Sequence, residues 1–138
     1  MISADDELGR ILCAARTIAV VGLSADPEKP SHEVAAYLQA QGYRVIPVNP
    51  RGGIILGETV HADLRAVPEP IDLVDVFRPA EACLDIAREA VAVRAKVLWL
   101  QLGIVNEEAA ALARAAGLAV VMDRCTLREH RRLRSQLG

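Results

Sequence analysis

Five short apolar runs, separated by stretches of helical periodicity, set the narrowest limit on what this chain can fold into. Residues 17–22 (TIAVVG), 43–48 (YRVIPV), 72–77 (DLVDVF), 96–101 (KVLWLQ) and 118–122 (LAVVM) are rich in Val, Ile and Leu and do not alternate cleanly between apolar and polar. Such runs are the mark of strands buried on both faces, and their brevity and flanking turn residues favour strand over buried helix. Residues 54–56 (IIL) predict a short extra strand.

The intervening segments carry helix signals. Ser31 is read as the N-cap of a helix running to Gln41, with Gly42 in the left-handed C-terminal position. Asn106 caps another, with Glu107 and Glu108 in its dipole-positive first turn and Gly117 closing it. Pro79 suits the first turn of a third, striped by Cys83, Leu84, Ala87, Ala90 and Val91. Ser3 starts an N-terminal helix with Leu8, Ile11, Leu12 and Ala15 on one face, and Leu127, His130, Leu133 and Leu137 share a side of a C-terminal one. Strand–helix alternation implies right-handed crossovers over a parallel sheet. The expectation is a doubly wound, Rossmann-like α/β fold: a mostly parallel sheet of five to six strands with helices on both faces, residues 1–138 forming one domain. In such folds ligands bind outside the carboxyl ends of the strands, where strand order reverses.

Composition narrows the partners. A chain of 138 residues, 52% apolar, buries about two-thirds of its unfolded surface in one core. With Lys+Arg 16 against Asp+Glu 18, the charge balance argues against nucleic acid or an anionic membrane as partner. The four aromatics, Tyr37, Tyr43, Phe77 and Trp99, are too few for base-stacking recognition of single strands. No run approaches the ~20 apolar residues of a membrane span. The acidic start, Asp5-Asp6-Glu7, is unlike a signal peptide, and three scattered cysteines give neither a disulfide framework nor a zinc site. The chain therefore reads as cytoplasmic, and exposed apolar helix faces on so small a sheet are compatible with a homodimer.

The strand ends hold the candidate site. A dinucleotide fingerprint would place Gly at 22, 24 and 27, where this chain has Gly22, Ser24 and Pro27. Gly22 permits a tight turn, and the helix start beyond Lys29 and Pro30 offers free amides to a phosphate. After the second strand, Asn49 and Arg51 stand where an NAD site offers an acidic ribose ligand. An amide and a cation there favour a ligand with an additional phosphate near its ribose, and coenzyme A and NADP both qualify; Arg51 as an ordinary loop cation is the plainer reading. Phe77, Arg78 and Pro79 follow the third strand, the aromatic suited to an adenine or a thin polyamide arm, or simply to the core. Gln101 ends the fourth, and Asp123-Arg124-Cys125 the fifth.

Catalytic and metal constellations are missing. His32, His61 and His130 have no ligand spacing and read as loop or helix-surface residues. Cys125 and His130 lie five apart, on poorly aligned sides of a helix. No nucleophile-elbow, Walker or HExxH pattern is present. The cluster Arg128, Arg131, Arg132 and Arg134 reads as a solvated helix face.

Taken in order, TIAVVGLSADPEKPSHEVAAYLQAQGYRVIPVNP, IDLVDVFRP, LWLQLGI and VVMDRCTLREHRRL resemble the small stand-alone CoA-binding domain proteins. These are similar to the CoA-binding, Rossmann-like domain of succinyl-CoA synthetase α subunits. The resemblance covers roughly residues 15–134 and implies a coenzyme A site. Gly22, Ser24, Lys29 and Pro30 would lie along the phosphates and the ADP end, with Arg51 beside Asn49 toward the ribose phosphate. Phe77, Arg78 and Pro79 would flank the pantetheine arm, with Gln101 and Cys125 lining its far side. The synthetases carry a phosphohistidine in another domain, and none of this chain's histidines matches that motif. What the resemblance implies is binding of CoA or an acyl-CoA, with no evident catalytic centre and no metal. Two alternatives stand beside it: an NAD(P)-dependent enzyme, or a thiol-regulatory or interaction protein that uses Cys125.

Overall fold

The five apolar runs become the five strands of one parallel sheet. The computed structural model describes residues 2–137. Helix α1 (Asp5–Ala14) leads into β1 (Thr17–Val21), followed by α2 (Pro30–Ala40) and β2 (Arg44–Val48). A small ribbon, β3 (Ile54–Ile55) and β4 (Glu58–Thr59), and a 3-10 turn precede β5 (Leu73–Val76). Then come α3 (Cys83–Ala92), β6 (Val97–Leu100), α4 (Glu107–Ala115), β7 (Ala119–Val121) and α5 (Thr126–Leu133). The main sheet runs β2-β1-β5-β6-β7, every neighbouring pair parallel. This is the Rossmann-like α/β fold.

Successive strand residues point to opposite faces, and each face meets its own helices. Ile18, Val20, Leu73, Trp99 and Val121 pack under α1, α2 and α5 through Leu8, Leu12, Val34, Leu38, Leu127 and Leu133. Ala19, Val21, Val74, Leu98 and Val120 pack under α3 and α4 through Cys83, Ile86, Ala90, Ala109 and Ala113. The buried face of α4 is made of small side chains, Ala109, Ala110 and Ala113, all fully buried. Trp99 is wholly buried, and its indole N–H donates to the Arg124 carbonyl at 2.8 Å, so the largest core side chain leaves no polar atom unpaired. Burial of each large apolar side chain contributes about 1.5–3 kcal/mol.

Several local expectations need correction. The short extra strand expected at residues 54–56 is present at Ile54–Ile55, but it pairs antiparallel with Thr59 and Glu58 in a separate ribbon, so the main sheet has five strands and not six. Ser31 is not the cap of α2. Lys29 holds that position, Pro30 takes the first turn, and the Ser31 hydroxyl accepts from the Ser24 amide at 3.0 Å. Likewise α1 starts after Ala4, without a capping side chain, rather than at Ser3. Asn106 does cap α4, accepting from the Ala109 amide at 2.9 Å. His130 is buried, not on the surface: it is 8% exposed, its Nδ1 lies 2.8 Å from the Tyr37 hydroxyl, and the rings of Tyr37 and Tyr43 meet it edge-on. Those two tyrosines offer it an apolar wall and a hydrogen bond together, which surface placement would forfeit.

Candidate functional site

β1 lies between β2 and β5, and the helices that follow β1 and β5 cover opposite faces of the sheet. The loops leaving β1 and β5 therefore diverge and open a crevice at the carboxyl end, the place where such sheets bind ligands.

Gly22 begins the crevice. Its amide donates to the Val48 carbonyl at 2.8 Å, and its φ of +87° lies in the left-handed region that only glycine enters cheaply. Beyond it the loop is fixed by its own side chains. The Asp26 amide donates to Ser24 Oγ at 3.0 Å, and the Glu28 amide to Asp26 Oδ1 at 2.9 Å. These bonds lead the chain to Lys29 and the N-terminus of α2, where the Lys29 amide donates to the Asp26 carbonyl at 3.1 Å and the positive end of the helix dipole favours negative charge.

After β2, Asn49 spends both ends of its amide on the backbone. Its Nδ2 donates to the Leu23 carbonyl at 2.8 Å, and its Oδ1 accepts from the Arg51 amide at 2.7 Å. The side chain read as a ligand group thus also fastens the β2 loop to the β1 loop.

Gly22, Ser24, Lys29, Asn49, Arg51 and Arg78 line one groove of about 560 Å³. A second hollow of about 240 Å³, on the α3 side, shares Gly22, Asn49, Pro50 and Arg78 with it. Arg78 therefore borders both. Among the described residues, Lys29, Arg51 and Arg78 form no ion pair, and Asp26 is the sole carboxylate lining the larger groove. Three cations against one anion leave the groove positive and suited to a polyanion.

The remaining candidates sit apart from that groove. Pro30 opens α2, and Pro79 caps the 3-10 turn leading into α3. Phe77 is half-buried against the core under α1, α2 and α5, as is Cys125 at the N-cap of α5. Gln101 is buried, and its Nε2 donates to both Asp75 Oδ1 and Thr126 Oγ1.

The sequence reading gave Asp75 no role, yet it anchors this network. It is fully buried one residue before the end of β5, and Thr126 Oγ1 donates to its Oδ2 at 2.9 Å. Burial pushes its carboxyl up to about 7, against the opposing pull of the Gln101 and Thr126 hydrogen bonds. The signal was available: an Asp inside Leu73-Val74-Asp75-Val76 must find donors or stay protonated. Ile55 also lines the groove, brought there by the ribbon. No spacing in the sequence discloses that. The described residues contain no group of three or more His, Cys, Asp or Glu placed to hold a metal ion. None of their helices is long and apolar enough to cross a membrane.

Comparison with known proteins bears on this site. The family described as CoA binding domain matches residues 16–131. The chain is similar to the uncharacterized protein YneT of Bacillus subtilis (strain 168), 42% identical over 119 residues, 86% of this chain and 88% of the relative. Among solved structures it is similar to cell-free ID.343 from Thermus thermophilus, with 47% identity and a TM-score of 0.91 over 95% of this chain and 99% of that one. A hypothetical protein from Pyrococcus horikoshii OT3 superposes with a TM-score of 0.92 at 37% identity, over 95% and 92%.

Proposed function

The chain belongs to the family of CoA binding domains, and from that premise we propose that it binds coenzyme A or an acyl-CoA at the carboxyl ends of its strands, as a binding module. One observation carries the reading: Lys29, Arg51 and Arg78 converge, without ion-pair partners among the described residues, on the groove that the Gly22 turn opens. CoA has a pyrophosphate and a ribose 3′-phosphate. In this reading the pyrophosphate lies along Gly22, Ser24 and the start of α2 at Lys29 and Pro30. Arg51, held beside Asn49, takes the 3′-phosphate. Phe77, Arg78 and Pro79 flank the pantetheine arm as it leaves the groove, and Gln101 and Cys125 lie toward its far end. Charge-assisted contacts to phosphate are the strongest polar contacts available to such a site.

Calorimetry with CoA and dephospho-CoA tests this. Loss of the 3′-phosphate contact should weaken binding by about 1–3 kcal/mol, and Arg51→Ala should erase the difference between the two ligands. Equal affinities for the wild-type protein would remove Arg51 from that role. Thermal unfolding with CoA, NAD, NADP and ATP in parallel separates the ligand classes. A ligand at 100 times its Kd stabilises by about 2.7 kcal/mol. Stabilisation by NADP and not by CoA would replace this reading with a nicotinamide site.

A further inference from the structure

The large apolar side chains left most exposed among the described residues are Ile54 at 74%, in the separate ribbon, and Leu102 at 52% and Val105 at 49%, which follow β6 at the carboxyl end of the sheet. Leu102 and Val105 belong to the loop between β6 and α4. That loop is fixed. The Gly103 amide donates to Asp123 Oδ1 at 2.6 Å, the Ile104 amide to the Gln101 carbonyl at 2.9 Å, and Asn106 Nδ2 to the Ala80 carbonyl at 2.8 Å. Leu102 and Val105 are thus held in water by a loop tied to the segments after both β5 and β7. A single exposed Leu needs no explanation. A pair fixed at the same end of the sheet as a cationic groove, two strands along from it, points to something apolar attached to something anionic.

Resting on the CoA reading, we infer that the natural ligand is an acyl-CoA whose acyl chain lies over Leu102 and Val105. The strand order sets the reach. β6 is two strands from β1, about 10 Å at the usual spacing of about 4.8 Å. A pantetheine arm is as long as about four residues of extended chain, about 14 Å. With the pyrophosphate at the Gly22 turn, the thioester reaches the β6 loop and the acyl chain continues across it. A second copy of this chain is the poorer occupant. Two-fold pairing through this end would bring Lys29, Arg51 and Arg78 of one copy toward the same cations of the other, whereas a polyanion with an apolar tail satisfies both the charge and the apolar pair.

The test is calorimetric titration of the full chain with CoA, acetyl-CoA, butyryl-CoA and octanoyl-CoA, for the wild type and for the double variant Leu102→Ser, Val105→Ser, with unfolding temperatures checking that both are folded. Each methylene laid on that pair should tighten binding by up to about fourfold. Octanoyl-CoA is expected to bind at least tenfold more tightly than CoA, and the double variant to bring that ratio back near one. Wild-type binding of CoA with no gain along the series overturns the acyl inference and leaves CoA binding standing. Failure of every ligand to bind overturns the CoA reading itself. A chain-length gain that survives in the variant overturns the placement on Leu102 and Val105. So does a dimer in sedimentation that the double variant converts to monomer, since the pair would then lie in an interface between copies.

Discussion

Arg78 lays its side chain across the bare Cα of Gly22: a Cβ built there would stand 3.1 Å from Arg78 Cδ and 3.1 Å from the Phe77 carbonyl oxygen. The two residues follow the adjacent strands β1 and β5, so this contact spans the start of the crevice between their loops. The arginine can swing aside, but the carbonyl belongs to the backbone and cannot. Gly22→Ala therefore meets two costs, the crowding and about 1–2 kcal/mol for a side chain at φ +87°. The expected outcome is a fall in Tm of about 5 °C or more, with CoA affinity reduced at least tenfold because the turn and Arg78 both move. Thermal unfolding and calorimetry on the same preparation check this. An unchanged Tm would show that the turn re-forms without a bare Cα.

Asn49 gives a prediction that separates structure from ligand contact. Its amide donates to Leu23 and accepts from the Arg51 amide, so Asn49→Ala loses two bonds between neighbouring loops, about 2 kcal/mol. It also frees the backbone that carries Arg51. Asn49→Ala is expected to lower both stability and CoA affinity. Arg51→Ala, whose side chain makes no ion pair among the described residues, is expected to lower affinity while leaving urea unfolding within about 0.5 kcal/mol of wild type. Equal losses of stability in the two variants would contradict this division.

The five strands and the Asn106 cap were legible in the sequence because each rests on local signals: apolar runs of strand length, and an Asn followed by two glutamates. Gly22 was legible too, as the one glycine of the fingerprint that was kept. What escaped depends on contacts between distant segments. Ser31 reads as a cap by type, but the Ser24 amide, seven residues back, claims its hydroxyl. Asp75 reads as an interruption in a strand, since its partners Gln101 and Thr126 lie 26 and 51 residues away. His130 had the periodicity of an inward residue, yet only the meeting of α2 with α5 supplies Tyr37 to hold it.

Asp75 carries the last prediction, a pH dependence with a definite sign. Burial raises its carboxyl from 3.8 to about 7, so the fold keeps a proton that the unfolded chain releases. Its stabilising contribution is complete below about pH 4 and is lost as pH rises toward 7, at up to about 1.4 kcal/mol per pH unit. Other carboxylates oppose this in the net profile. Asp5, Glu69, Asp72 and Glu129 are all held below their usual range, so their contributions are present at neutral pH and lost in acid. The difference between Asp75→Asn and wild type removes those shared terms. The substituted amide cannot ionise, and it retains one oxygen to accept from Thr126 while Gln101 turns its own amide to meet the new donor. Urea unfolding at pH 5, 6, 7 and 8 should show the variant gaining on wild type steadily from pH 5 to 7 and then levelling off. A difference that stays constant across those four values would mean that Asp75 holds one protonation state throughout, with the Gln101 and Thr126 hydrogen bonds outweighing its burial.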